Sequence, residues 1–542
     1  MMKPKLTVGP GGSKPARPGG SGAFRGMRLL ASVFLLLLHT GGVTAQQEGT
    51  LAYTVSMEHP ETHSYHVVFR CTGLAGPVLD LCMPAWMPGY YQLLQYAKKV
   101  EHFRALDGAG REIGWEKTSD NVWRVPHGAG TAVTVEYDVQ ATTSFVAQPW
   151  LDTSRAYIAP AGIFLYIRGY LHHPVTVELR PWSSWHRVAT GLEPVAGRKN
   201  VFMAPDFDIL YDSPILVGNL DELPSFTIRG VPHYFIGYRT GDFDRDAFIK
   251  ALKKVVEAGV AVIGDIPYRH YTFLAIGPGR GGIEHLNSTT IGFSGEALKT
   301  PEGQQRVLSF IAHEYFHHYN VKRIRPIALG PFDYERENRT NMLWVSEGLT
   351  VYYEYLMVRR AGLMTGEALL HNFQSDIAAY ENKTGHLYQS LAQASYETWS
   401  DGPFGRTGDS VVRTISYYQK GPAVGLLLDM AIRHATGNKK TLDHVMRSLY
   451  RIYYQEKKRG FTDEEFRAVC EEVAGVALPE IFDYVFTVHD PDYAKYLAYG
   501  GLGIDLETHE LPDGKTGRSF RIFPLPNPDA LQLAIRKDWL GE

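Results

Sequence analysis

The chain has 542 residues, a formal net charge of −3, and 44% hydrophobic against 21% charged residues. That length calls for several domains, and the ordinary composition is that of a globular protein. The balanced charge excludes a general nucleic-acid binder, and a count of three cysteines excludes a disulfide scaffold.

Residues 1–23 are rich in Gly, Pro and basic residues. The stretch "FRGMRLLASVFLLLLHTGGVTAQQEG" then places Arg25 and Arg28 before an apolar run from Leu29 to Leu38, followed by Val43-Thr44-Ala45. This is the plan of a secretory signal cleaved after Ala45, so residues 1–45 are expected to be leader and signal, with Met27 a candidate start, and the protein secreted or periplasmic. Such a run makes about 15 Å of helix, short of the roughly 30 Å of a hydrocarbon core. No later segment is long and apolar enough to span a membrane, so no stable span is expected after cleavage.

From 47 to 228 the pattern is short and alternating, as in "LAYTVSM", "SYHVVFR", "TAVTVEYDV" and "VTVELR", with turn residues between the runs; this predicts a β-rich domain. Cys71 and Cys82 lie in it, either paired across neighbouring strands or buried and free. From 229 to 495 the character is mixed, then mostly helical. "DFDRDAFIKALKKVVEAGVAVIG" is amphipathic, "HYTFLAIGPG" is a strand ending in a Gly-rich turn, and helical patterns cover 301–323, 341–361, 365–381, 420–436, 441–457 and 462–474. Cys470 reads as a buried helix residue. Residues 496–542 form a short, Gly/Pro-punctuated segment. The fold class is α+β and multidomain, an all-β N-terminal domain followed by an α/β-to-helical one.

The chemistry concentrates in "IAHEYFHHYN" at 311–320. His313 and His317 stand at i and i+4, so a helix presents both imidazoles on one face, with Glu314 at its flank. This H-E-x-x-H spacing lets the histidines hold zinc while the glutamate serves as general base on a water the metal activates. Thr300, Pro301 and Glu302 make a helix start, and Leu308, Ile311, Tyr315 and Tyr319 form a core stripe opposite the histidines. His318 points away from the pair and reads as structural. A catalytic zinc usually has three protein ligands, and Glu347 in "NMLWVSEGLTVYYEYLMVRRAG" is the candidate third, because an unpaired carboxylate among apolar neighbours is costly. Glu354, two turns further on the same face, could receive a hydrogen bond from a ligand histidine.

These stretches carry a family resemblance. "HEYFHHYNVKRIRP" followed by "WVSEGLTVYYEYL" resembles the gluzincin zinc metallopeptidases, and within them the glycyl aminopeptidase family. "GGIEHLNST" at 281–289, "SYYQKGPAVG" at 416–425 and "MPAWMPGYY" at 83–91 are similar to further segments of that family, in family order. The resemblance covers roughly 50–500 and implies a thermolysin-like catalytic domain with one Zn2+ per chain. It puts His313, His317 and Glu347 on the zinc ligands and Glu314 on the general base. Glu284 falls on the acid that binds a substrate's free α-amine, and Tyr418 on the hydroxyl that steadies the tetrahedral intermediate, with Tyr417 the alternative one position away. Gly281 and Gly282 precede Glu284 on a strand expected beside the cleft, where glycine lets a ligand approach the backbone closely.

The resemblance therefore implies an exported aminopeptidase acting on peptides with a free N-terminus, with a preference for glycine or alanine there. The alternatives are a zinc endopeptidase of the same fold and a non-catalytic peptide-binding protein with a structural zinc. Members commonly continue into a PDZ domain. Here "GLGIDLE" matches the start of one, and the residues after it are too few to complete it. The N-x-S/T triplets at Asn287, Asn338 and Asn382 are not read as glycosylated, since the first falls inside the presumed site. Oligomeric state is left open.

Overall fold

Strict alternation of apolar and polar residues builds the first half of the chain. In the strand Val133–Gln140 every second residue is buried, and Thr50–Ser56 repeats the pattern, as a period of two requires of strands with one face on a core. The computed structural model describes residues 49–406, 412–510 and 516–542; the expected signal segment lies outside the described residues. Thr50–Ser56 pairs antiparallel with Ser64–Thr72 and parallel with Val175–Arg180, at the centre of an eight-stranded sheet. A five-stranded and a four-stranded sheet pack with it around a core that includes Tyr53, Val67, Phe69, Val135 and Leu216. Buried tyrosines satisfy their hydroxyls on carbonyl oxygens, Tyr65 on Trp150, Tyr137 on Ile163 and Tyr157 on Val146. Cys71 and Cys82 sit on strands of different sheets, and both are free.

The second sheet system begins before residue 229. Asp221–Glu222 and Phe226–Ile228 pair with β1 (Val231–Gly237). β1 runs parallel to β2 (Tyr271–Ala275), which runs parallel to β4 (Ser288–Ile291), and β3 (Gly282–Glu284) closes the edge antiparallel to β4. Helix α1 (Arg245–Ile263) and helix α2 (Pro301–Phe316) pack against one another and against α3 (Leu349–Arg360). Leu308, Ile311, Tyr315 and Tyr319 are all buried in this core, as the stripe opposite the histidines requires.

Three boundaries differ from the sequence expectation. The helix expected over 301–323 ends at Phe316, with His317 at its C-cap. The chain turns there through Val321 at φ 112°, and the Asn320 amide is spent on Val345 O, Ser346 O and the Thr350 hydroxyl; an asparagine that serves other backbone groups does not continue a helix. The helix expected from 341 opens with a π-turn over Trp344–Gly348. The helix expected at 420 starts earlier, as α5 (Tyr417–Ala435), where the Ser416 hydroxyl accepts from the Tyr418 amide. Helix α4 (Gly366–Glu381) lies between, at its expected place.

The described residues after 496 pack on the helical layer. Leu502–Glu510 and Thr516–Pro524 pair as two antiparallel strands that join no other strand among the described residues, and the helix Ala530–Leu540 follows. Trp539 packs on Phe373 of α4 and donates to the Tyr352 hydroxyl at 3.0 Å, and Asp538 pairs with Arg433 of α5. Among the described residues no helix is long and apolar enough to cross a membrane.

Candidate metal centre and peptide cleft

Helix α2 fixes the first two ligand positions. Thr300 caps it by accepting from the Gly303 amide at 3.1 Å, and Pro301 opens it. The i, i+4 relation then brings the Nε2 atoms of His313 and His317 to 2.9 Å from each other. Glu347 reaches them from the π-turn on the neighbouring helix, its Oε2 at 3.4 Å from His313 Nε2 and 3.1 Å from His317 Nε2. A π-turn widens the helix locally and is found at functional sites. Here it sets Glu347 beside α5, where Gly348 and Gly421 let the two helices touch. A Cβ on either glycine would stand 2.6 Å from the other's Cα. That contact places Tyr418, one turn before Gly421, over the centre.

The outer nitrogens of the two imidazoles are both occupied. His317 Nδ1 donates to the Asn320 carbonyl at 2.8 Å, and His313 Nδ1 faces the Glu354 carboxylate at 2.9 Å. A carbonyl only accepts, so His317 carries its proton on Nδ1 and turns a bare lone pair inward at Nε2. The carboxylate of Glu354 selects the same tautomer of His313. Two lone pairs and a carboxylate oxygen therefore converge, all buried, with no donor among them. Such a set is stable around a cation, and two imidazoles plus one carboxylate is a ligand set zinc accepts while keeping a position open for chemistry. Burial opposes ionisation of Glu347, but positive charge at the two imidazole positions outweighs it and holds the carboxylate well below its usual range.

Glu314 lies at the flank of this centre, buried, and its Oε2 has no hydrogen-bond partner among the described residues. Burial raises its carboxyl to about 8; His313 and His317 pull against that, while Glu284 and Glu347 add to it. A carboxylate poised near neutral pH suits a group that must take and release a proton. Gly282 makes the room for it. A Cβ there would stand 2.2 Å from Glu314 Oε1. Tyr418 is half-buried at the centre, its phenol raised by burial and by the Glu347 carboxylate. The Tyr417 hydroxyl is instead engaged with Thr398 at 3.0 Å, so the geometry favours the expected register over its alternative. His318 is enclosed by Tyr268, Tyr271, Tyr315 and Tyr319, and burial keeps it well below the ordinary histidine range, as a structural residue.

A cavity of about 880 Å3 opens beside the centre. Its lining includes His313, Glu314, Tyr418, Gly281 and Gly282 from the second half of the chain, and Gly89, Tyr90 and Phe145 from the first. Glu284 does not line it. It is buried beside the wall, where Gly89 is packed so close that a Cβ on it would meet Glu284 Oε2 at 2.8 Å. Three neighbours of Glu284 escaped the sequence reading. Lys322 Nζ lies 3.9 Å from Glu284 Oε1 and 2.8 Å from Asp212 Oδ1, and Tyr91 feels the charge of both Glu284 and Glu347. "NVKR", beginning three residues after the second histidine, was a signal for Lys322. Nothing local announces Asp212, a hundred residues upstream in the β-rich half.

A sheet with an antiparallel edge strand, a helix carrying H-E-x-x-H and a glutamate from the next helix define a zinc metallopeptidase of the gluzincin class. The pattern of the peptidase M61 N-terminal domain matches residues 52–219, and that of the M61 glycyl aminopeptidases matches residues 306–424. The chain belongs to the M61 glycyl aminopeptidase family, and its substrates are peptides. Among solved structures, an aminopeptidase N family protein from Idiomarina loihiensis is similar at 24% identity over 86% of this chain and 81% of its own, with a TM-score of 0.79. Native yeast LTA4 hydrolase matches at 14% identity over 83% of this chain and 70% of its own, with a TM-score of 0.51. Both likenesses are of fold. The comparison with curated proteins finds no match.

Proposed function

We propose that the protein is an exported aminopeptidase that removes small N-terminal residues, glycine or alanine, from peptides, using one zinc held by His313, His317 and Glu347. The observation that carries this reading is the convergence of three buried acceptors, with Glu314 and Tyr418 beside them at the end of a peptide-sized cleft. When bound, zinc supplies Lewis-acid polarisation of the scissile carbonyl and lowers the pKa of water. Glu314 takes the proton of the attacking water and returns it to the leaving amine. Tyr418 donates its phenolic proton to the oxyanion, and Glu354 and Asn320 hold the imidazoles in the ligating tautomer. Glu284, buried behind Gly89 at the cavity wall, supplies the negative charge that draws the substrate's ammonium group, and the backbone of Gly281 and Gly282 pairs with the extended peptide along the edge strand.

A count of one zinc is supported by the surroundings of the other cluster of metal-ligating side chains among the described residues, Glu381, His386 and Asp490. Glu381 already accepts from Tyr493 and Arg518, and the Lys420 ammonium lies in the field of both Asp490 and Glu381. That cluster neutralises cations of the protein itself. Export rests on the signal pattern ending at Ala45.

The test is cleavage of glycyl and alanyl peptides with free and acetylated N-termini, with and without a chelator, beside the Glu314→Gln variant. The expected result is release of the first residue from free peptides only, lost on chelation, and lost in Glu314→Gln with zinc content near one per chain. Cleavage of acetylated peptides at internal bonds at the rate of free ones would replace this reading with an endopeptidase.

A further inference from the structure

One face of α2 lines the cleft along its whole length. Glu302, Arg306, Phe310, His313 and Glu314 recur at intervals of three and four and all border the same cavity. Of these, Arg306 is the cation. Its guanidinium is exposed to the cleft, and among the described residues no carboxylate lies within ion-pair distance of it. Glu302, one turn away on the same face, is not paired with it.

The ends of the cleft are distinguishable. Glu284 lies 3.9 Å from Lys322, which follows the C-terminal end of α2. Arg306 lies two turns before His313, toward the N-terminal end. Glu284 also acts on His317, so it stands behind the wall on the His317 side of the centre, and Arg306 lines the cavity on the other. A peptide with its amine at Glu284 and its first carbonyl at the centre sends its C-terminal side toward Arg306. Seven residues of helix span about 10 Å, and an extended peptide covers that distance in about three residues. Phe310, Val351 and Tyr355 supply apolar lining in this region.

We infer that Arg306 binds the free C-terminal carboxylate of short substrates, so that the cleft measures peptides of three to four residues between its two ends. A guanidinium recognises a carboxylate through paired, charge-assisted hydrogen bonds. A carboxylate carried one turn further would face Glu302, a like charge, which sets the upper limit of length. This inference rests on the aminopeptidase reading for the direction of the peptide, and the pairing with a carboxylate is read separately from it.

The experiment compares kcat/KM for alanyl peptides of two to six residues, each as free acid and as C-terminal amide, on the zinc-loaded full chain and on Arg306→Gln and Arg306→Glu. The parent enzyme is expected to prefer the acid by about tenfold at three and four residues, the scale of a charge-assisted contact in a partly exposed cleft, and less at other lengths. In Arg306→Gln the acid-to-amide ratio falls to near one, and in Arg306→Glu it inverts. Zinc content and thermal unfolding of the variants exclude a folding defect. A parent ratio near one at every length, or a ratio unchanged in Arg306→Gln, overturns the inference. The same peptides with acetylated N-termini separate the two readings. Cleavage of acetylated peptides with the Arg306-dependent ratio retained upholds the carboxylate site and removes Glu284 as amine anchor.

Discussion

Replacing Gly282 by alanine tests whether Glu314 must stand where it does. The perturbation is one methyl group on the edge strand, and the backbone there has no positive φ, so alanine fits the strand itself. The new Cβ would lie 2.2 Å from Glu314 Oε1 and 2.3 Å from its Cδ. Ordinary contact requires more than 3 Å, so the carboxylate has to retreat by about 1 Å. It is the tip of a flexible side chain bordering a cavity of about 880 Å3, so the retreat is cheap for the fold. It is costly for the chemistry, since a misplacement of about 1 Å typically removes about 10²-fold in rate, or about 2.7 kcal/mol of barrier. The expected outcome is kcat on a free alanyl peptide lowered by about 10²-fold, with zinc content and melting temperature held near the parent values. The variant Glu314→Gln with Gly282→Ala should be no slower than Glu314→Gln alone, because the two act through one group. A kcat within about threefold of the parent refutes the placement of the base. A loss confined to KM refutes it differently, since the methyl group would then be blocking the peptide rather than the base.

Tyr418→Phe is expected to lower kcat by about 10²-fold with little change in KM, as loss of an oxyanion donor does, while Tyr417→Phe stays within about threefold because its hydroxyl serves Thr398; steady-state kinetics on both variants checks this. Asp212→Asn leaves the buried Lys322 ammonium with Glu284 as its remaining acid, so KM for free-amine peptides should rise by roughly tenfold with zinc unchanged; equal KM values in parent and variant would disconnect Asp212 from substrate binding. Burial holds His233 down to about 4, and its unfolded value is near 6.5. Its contribution is therefore complete above pH 6.5 and is lost as pH falls from 6.5 toward 4, on the order of 3 kcal/mol. Denaturant titrations across that window should show a slope that His233→Gln removes.

What could be read from the sequence was what a short-range period writes into it. Alternation every two residues marked the strands around Tyr53 and Val135, and the i, i+4 spacing marked His313 and His317 as a pair. Glu347 was legible because a lone carboxylate in an apolar run demands a partner. The end of α2 at Phe316 was hidden, since "HHYNVKR" is compatible with further helix, and only the pull of Val345, Ser346 and Thr350 on Asn320 stops it. The π-turn at Trp344–Gly348 was hidden too, because it accompanies a contact between Gly348 and Gly421, seventy-three residues apart. The C-terminal strand pair shows the same limit. "GLGIDLE" reads as a strand, but the packing of its partner Thr516–Pro524 on α4, where the Ile522 amide donates to Gln374 Oε1, is not written in it.

The centre divides its labour between the two halves of the chain. The proposed ligands and the groups proposed to move a proton all come from the helices of the second half, which also bury Tyr315, Phe316 and Tyr352. The first half contributes no ligand, but it closes the amine end through Gly89 and Tyr91, neutralises Lys322 through Asp212, and walls the cleft with Tyr90 and Phe145. It is anchored to the second half by Trp86, whose indole donates to the Asp333 carbonyl at 2.9 Å, and by the Ala85 amide on Tyr334 O. Changes at Tyr90 or Phe145 are therefore expected to alter which peptide fits and to leave zinc content unchanged, whereas a change at Glu354 or Asn320 is expected to lower zinc content whatever the peptide. An exopeptidase needs both parts in register, because the distance from the amine site to the scissile carbonyl is fixed by one residue of peptide. The contacts of the β-rich half with the second half, through Trp86 and Ala85, hold that distance.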